Sequence, residues 1–287
     1  MPELPEVETT ARLIRPRLEG RTVRSARVLW ARSLGAQSAA AFQRAVVGAS
    51  IVRVDRRAKH VVLDLARGGR EAGHLFVHLG MSGRLLVEAP GTEAGPYLRV
   101  ALGLDRGELR FLDVRKFGRF RYVRAPGPLV DGLGPEPLGE DFTLRWLRDA
   151  LAARRRLLKP LLLDQSFVAG LGNIYVDEAL FVAGLHPLRR SDRLSASAVE
   201  RLHAAIRSVL AEAIVLEGSS FDAFYRTPEG RPGAYQHRFR VYGRAGRPCR
   251  TCGRPVVRIV VAQRGTHLCP RCQAAPRKPR GTLGSRR

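Results

Sequence analysis

Two groups of residues in this chain have types and spacings suited to chemistry. The first opens the sequence, Met1-Pro2-Glu3-Leu4-Pro5-Glu6. Met1 precedes a small residue, so its removal on maturation is expected. Pro2 would then carry a free secondary amine at the start of a helix. An α-amino group titrates near about 8, and the positive end of a helix favours its neutral form. A neutral amine can attack an electrophilic carbon and form an iminium. Taken alone, the pattern has a plainer reading: proline is well tolerated at a helix start, and Glu3 and Glu6 suit the helix dipole. The second group is Cys249-x2-Cys252 followed, after 16 residues, by Cys269-x2-Cys272. Each pair can aim two thiolates at one tetrahedral ion, and four protein ligands would close it off as a structural zinc site. Redox pairs or free thiols are the alternative.

These groups need elements to hold them. Residues 3–19 read as a helix, with Val7, Ala11, Ile14 and Leu18 at helical spacing and Gly20 as the stop. Short segments rich in Val, Leu and Phe follow near 22–30, 50–57, 60–66, 74–79, 83–88, 97–104, 108–112 and 118–124, with a small helix at 38–47. Regular short strands predict a sandwich or barrel. The stretch 125–139 holds four Pro and four Gly and reads as a linker. Helical patterns recur near 143–155, 159–164, 173–183 and 195–216. Between the cysteine pairs, alternation in VVRIVVA predicts a β-hairpin turning at Arg264-Gly265 and presenting Arg264. The domain expectation is therefore 1–126, a linker at 127–142, a helical domain at 143–236 with a mobile loop at 217–236, a zinc finger at 237–273, and a disordered basic tail at 274–287.

The chain has 287 residues, and 50 Lys and Arg against 26 Asp and Glu give a net charge of +24. Such a field draws polyanions, nucleic acid first among them, since neutralising phosphates releases counterions. A basic structural protein is the other reading of the charge. All but four of the cationic residues are Arg, the exceptions being Lys59, Lys116, Lys159 and Lys278. Glu3, Glu6 and Glu8 do not suit a secretory signal. No apolar run reaches the roughly 18 residues of a membrane span. A cytoplasmic chain with no membrane partner is expected, and its cysteines are read as metal ligands.

Several motifs in order carry a family resemblance: PELPEVET at 2–9, RRAKHVVLDL around Lys59, HLGMSGRL at 78–85, DVRKFGR at 113–119, KPLLLDQ at 159–165, GLGNIYVDEALF at 170–181, VYGR at 241–244, and the finger ending HLCPRC. Through nearly its whole length the chain resembles the formamidopyrimidine-DNA glycosylases, bacterial enzymes that remove 8-oxoguanine and ring-opened purines from DNA. The resemblance implies an α+β multidomain fold: an N-terminal helix plus eight-stranded β-sandwich, then a helix–two-turn–helix domain with a four-Cys β-hairpin finger. It implies damaged double-stranded DNA as partner, one structural zinc, and base excision followed by strand cleavage.

Residue roles follow from the same resemblance. Pro2 matches the nucleophile that attacks the sugar C1′, Glu3 its acid partner, and Glu6 a supporting carboxylate. Lys59 matches a lysine beside the lesion and its phosphate. Met81, Arg115 and Phe117 match the trio that fills the void when a nucleotide is extruded. If the segment is extended, Arg115 and Phe117 point the same way. Asn173, Lys159 and Arg264 match contacts to the DNA backbone near the extruded nucleotide, Arg264 also serving the catalytic centre. Lys116 is expected on the DNA backbone as well. No lysine role is carried to Asp222, and base contacts from Ser219 to Tyr225 stay open. Two rivals remain: an endonuclease VIII-like enzyme acting on oxidised pyrimidines, and a DNA-binding protein without catalysis. No heptad is evident, so a monomer is expected.

Overall fold

In the computed structural model, which describes residues 1–221 and 225–276, the chain divides into two compact units. The first comprises Met1–Phe142, Asp164–Gly172 and Arg207–Arg238; the second comprises Thr143–Leu163, Asn173–Ile206 and the chain from Phe239 onward. Asp222 and the basic tail from residue 277, with Lys278, lie outside the described residues.

In the first unit, helix α1 (Leu4–Leu18) buries Leu4, Val7, Ala11, Ile14 and Leu18 along one stripe, as the 3.6-residue period requires. It ends before Gly20, which takes φ 81°. The strands are β1 (Val23–Val28), β2 (Ser50–Arg57), β3 (His60–Arg67), β4 (Arg70–His78), β5 (Gly83–Glu88), β6 (Leu98–Leu104), β7 (Glu108–Asp113) and β8 (Arg119–Val123). They form two four-stranded antiparallel sheets, ordered β1-β6-β7-β5 and β2-β3-β4-β8. The expected eight strands and their sandwich are therefore present. Helix α2 (Ala39–Val46) is capped by Ser38, whose side chain accepts the Ala41 N–H.

Inner-face residues of both sheets share one core with α1 and α2. An aromatic cluster knits it together. Phe120 of β8 meets Phe42 of α2 edge-on at 6.0 Å, and Phe111 of β7 at 5.8 Å. All three are buried.

The Pro- and Gly-rich stretch after β8 is not an open tether. It contains a short helix, α3 (Gly127–Val130), and its Glu136 carboxylate accepts the Ala58 N–H at 2.6 Å and binds Arg56 and Arg57 at 2.6 and 2.8 Å. Composition signalled a break here, but the charged partners on β2 hold the segment down.

In the second unit, the helices are α4 (Leu144–Ala152), α5 (Leu158–Leu163), α6 (Asn173–Val182) and the Ala196–Ile206 part of α7 (Ala196–Val215), whose remaining turns belong to the first unit. Strands β9 (Val257–Val261) and β10 (Arg264–Leu268) form the finger hairpin. Its turn is Ala262-Gln263, both with positive φ (48° and 61°), two residues before the expected Arg264-Gly265. Gly265 is instead a strand residue, paired with Val260 of β9.

Phe120→Ala should cost about 3–5 kcal/mol, read from urea unfolding. A loss under about 1 kcal/mol would mean the ring does not join the two sheets.

Candidate active site and metal centre

The start of α1 is tightly enclosed. Pro2 is buried, and Glu3 and Glu6 are 3% and 1% exposed. The Leu4 N–H donates to the Gly170 carbonyl at 3.1 Å, satisfying one of the donors a helix start leaves open. Gly172 makes room for Glu3: a Cβ at 172 would lie 2.3 Å from the Glu3 carboxyl carbon. The GLG turn at 170–172 is thus glycine-rich partly for packing against Glu3 and Leu4.

Glu6 links this start to a distant loop. Its Oε2 accepts the Glu3 N–H at 2.8 Å and its Oε1 accepts the Ser219 N–H at 2.7 Å. The Tyr225 hydroxyl donates to the Glu6 carbonyl at 3.4 Å. Burial, then the Glu6 charge, pushes the Tyr225 phenol above its ordinary range, so it stays a donor. The Ser220 hydroxyl donates to the Tyr225 carbonyl at 2.8 Å. Ser219 and Tyr225, the limits of the region left open for base contacts, are therefore both fastened to Glu6.

Lys59 is buried, 7% exposed, in the turn between β2 and β3. Ala58 before it takes φ 52°, and Arg56 ties the turn to α1 through Glu8 at 2.8 Å and to Glu136 at 2.6 Å. Beyond the turn, His60 and His78 pair across β3 and β4 with ring centroids 5.1 Å apart. Burial lowers both imidazoles to about 4, with the Lys59 and Arg119 charges also acting on His78. Both are neutral near pH 7.

Arg115 and Phe117 stand exposed between β7 and β8, Phe117 at 53%. The expectation that strand alternation aligns them is corrected here: Lys116 between them has φ 61°, so the segment is not extended. Their side chains meet, the Arg115 guanidinium carbon lying over the Phe117 ring, 5.1 Å from its centroid. Buried Asp113 organises the loop, accepting the Gly118 N–H at 2.7 Å, the Arg115 N–H at 3.2 Å and the Ser82 hydroxyl at 2.6 Å. Ser82 follows half-buried Met81 and also accepts the Arg115 N–H at 3.0 Å. One carboxylate therefore unites the Met81 segment with the Arg115–Phe117 loop. Lys116 is exposed too, and its ammonium lies 4.1 Å from the Trp30 ring centroid.

In the second unit, α6 supports the finger. Asn173 opens the helix, and its amide donates to the Gly265 carbonyl at 3.0 Å. Lys159 of α5 donates to the same carbonyl at 3.2 Å and pairs with Asp177 at 2.6 Å. In the free protein this side chain, expected on the DNA backbone, is 0% exposed and is engaged with Asp177 and the hairpin. Asp177 also accepts the His267 N–H at 2.8 Å. Glu178 accepts the N–H groups of Arg240, Val241 and Tyr242 within the VYGR segment. Arg264 is left exposed at the start of β10.

The sulfur ligand atoms of Cys249, Cys252, Cys269 and Cys272 lie within 4.8 Å of one another. Cys249 and Cys272 are 3.9 Å apart, Cys252 and Cys269 3.4 Å. Zn–S bonds of about 2.3 Å in a tetrahedron put sulfurs about 3.8 Å apart, so the four thiols fit one zinc ion. With all four positions taken by protein, the metal is structural. Sequence reasoning missed Asp113, Ser82, Asp177 and Glu178. They lie inside the motifs that were read, but a buried acceptor of backbone N–H groups has no spacing of its own.

A β-sandwich, a helical unit and a four-Cys finger are the parts of an H2TH protein. Family descriptions match in that order: the formamidopyrimidine-DNA glycosylase N-terminal domain over residues 1–120, the H2TH domain of the same glycosylase over 133–224, and a zinc finger found in FPG and IleRS over 246–275. The chain belongs to the formamidopyrimidine-DNA glycosylase family. It is 45% identical to the formamidopyrimidine-DNA glycosylase of Herpetosiphon aurantiacus over 96% of this chain and 100% of that one. It is 47% identical to that of Thermus thermophilus, over 95% and 98%. Among solved structures, the MutM (FPG) protein of Thermus thermophilus aligns with a TM-score of 0.85 at 45% identity, over 96% and 100% of the two chains. The Lactococcus lactis FPG in complex with a FAPY-dG containing DNA aligns with a TM-score of 0.86 at 34% identity, over 95% and 100%.

Two outcomes follow from this geometry. Gly172→Ala should displace the Glu3 carboxylate and slow single-turnover excision from a formamidopyrimidine duplex by on the order of 100-fold, with zinc content unchanged; wild-type rates would show that Glu3 need not sit where it does. Chelating the zinc should expose all four thiols to a thiol reagent and strip amide protection from β9 and β10, both reversed by added zinc. Hairpin protection surviving chelation would refute a structural metal.

Proposed function

We propose that this protein removes oxidised purines, 8-oxoguanine and formamidopyrimidines, from duplex DNA and then cuts the strand. The observation that carries the proposal is the enclosure of Pro2 and Glu3 at the head of α1, with Glu6 holding the backbone there. Once Met1 is removed, the Pro2 nitrogen attacks the sugar C1′ and the C1′–base bond breaks. The sugar ring opens as its oxygen takes a proton, for which Glu3 is the donor, leaving a Pro2 iminium. Loss of a C2′ proton then expels the 3′ phosphate, and a second elimination expels the 5′ phosphate. Lys59 supplies a fixed positive charge beside the reacting nucleotide.

The sugar carbon is shielded within a stacked duplex, so the nucleotide must be extruded. Met81, Arg115 and Phe117 fill the gap: Phe117 wedges against the neighbouring bases and Arg115 donates to the acceptors of the estranged base. Asn173, at the head of α6, and Arg264, on the finger, bind phosphate; such contacts fix register without reading sequence. Lys159 acts through the hairpin it holds. The net charge of +24 supports the encounter with DNA. Among the described residues no helix is long and apolar enough to cross a membrane. The protein acts as a monomer in the bacterial cytoplasm.

Borohydride should trap the protein covalently on a duplex with one 8-oxoguanine opposite cytosine, and Pro2→Gly should sharply reduce the adduct. N-terminal mass should show Met1 absent. Trapping on a thymine glycol duplex alone would transfer the protein to the pyrimidine-specific class. Tight binding with no trapping on either would leave a non-catalytic DNA binder.

A further inference from the structure

Lys116 sits between the two exposed residues assigned to fill the DNA void, so its backbone fixes where both side chains emerge. That backbone is left-handed, φ 61°, a conformation that costs an ordinary L-residue free energy. A glycine would adopt it freely, yet the position holds lysine. The side chain suggests what compensates. Its ammonium lies 4.1 Å from the Trp30 ring centroid, and the Arg32 guanidinium lies 5.6 Å from the same ring. Cation–π attraction of this kind is comparable in size to the backbone cost.

Trp30 is itself tied to the loop it faces. Its N–H and that of Leu29 donate to the Arg99 carbonyl at 3.1 and 2.8 Å. The Arg99 guanidinium donates to the Asp113 carbonyl at 2.8 Å. The Asp113 carboxylate in turn accepts the N–H groups of Arg115 and Gly118. The indole and the loop thus hang from one framework, and Lys116 closes the circuit.

We propose that Trp30 is a positioning residue for the void-filling loop: by stacking against the Lys116 ammonium it holds Lys116 left-handed and presents Arg115 and Phe117 as a preformed pair. The use of that pair in DNA rests on the proposed function; the preorganisation is a property of the free protein. It also gives Lys116 a task other than the DNA backbone contact expected from its sequence position.

The test is amide hydrogen exchange on the free protein. Trp30→Leu should speed exchange at Arg115 and Gly118 by about two- to fivefold, and Trp30→Phe, which keeps an aromatic face, by less. Lys116→Gly added to Trp30→Leu should slow exchange again, because glycine needs no compensation at that φ. Unchanged exchange in Trp30→Leu would overturn the proposal. So would faster exchange throughout β1 and β6 that Lys116→Gly does not correct, the mark of a general packing loss. Phe117→Ala checks the functional reading separately: if it left lesion binding intact while the exchange pattern held, void filling would fall and the positioning role would stand.

Discussion

Chain ends ordinarily fray, yet Pro2, the nucleophile of the proposed function, must be held as firmly as any core residue. The buried Glu6 carboxylate meets that constraint. One oxygen takes the Glu3 N–H and the other the Ser219 N–H, more than 200 positions away in sequence. A hydrogen bond to a charged group contributes roughly 1.5–3 kcal/mol, and a buried carboxylate robbed of its donors costs more than that. The start of α1 and the base of the loop at 217–236 are therefore stable together or not at all. The glycines nearby follow from the same need: Gly218, φ 78°, leaves room for Glu6, as Gly172 does for Glu3.

The same device recurs beneath the exposed residues to which the proposed function gives a DNA contact. Asp113 holds the backbone beneath Arg115 and Phe117. Asp177, with Lys159, secures the hairpin that carries Arg264, and Glu178 fastens the VYGR segment. Acidic residues are scarce in this chain, and several of them are withdrawn into its interior as scaffolding. These carboxylates are thereby engaged with backbone donors and cations of the chain itself, while arginine dominates the cationic residues that face an approaching polyanion.

Much of this was legible in the sequence. Period and turn residues located α1, all eight sandwich strands and the principal helices, because each apolar stripe or alternation serves one core. The cysteine spacing disclosed the zinc site, since two tight turns can do little else with one ion. Legibility failed where a residue's role depended on partners far away in the chain. Lys159 reads as a DNA contact by motif, but Asp177 encloses it. The stretch at 127–142 reads as a linker by composition, which gave no sign that its Glu136 would pair with Arg56 and Arg57 of β2. Gly265 reads as a turn, but it pairs with Val260 inside the hairpin, and the turn falls at Ala262-Gln263. The left-handed Lys116 gave no local signal, because its partner ring lies at Trp30.

The division of the chain into two units has a spectroscopic consequence. The protein contains two tryptophans, Trp30 in the first unit and Trp146, on α4, in the second. Replacing either one leaves a single indole whose emission reports on one unit alone. Melting the two single-tryptophan proteins in parallel would show whether the sandwich and the finger-bearing helices unfold as one cooperative block or in separate steps.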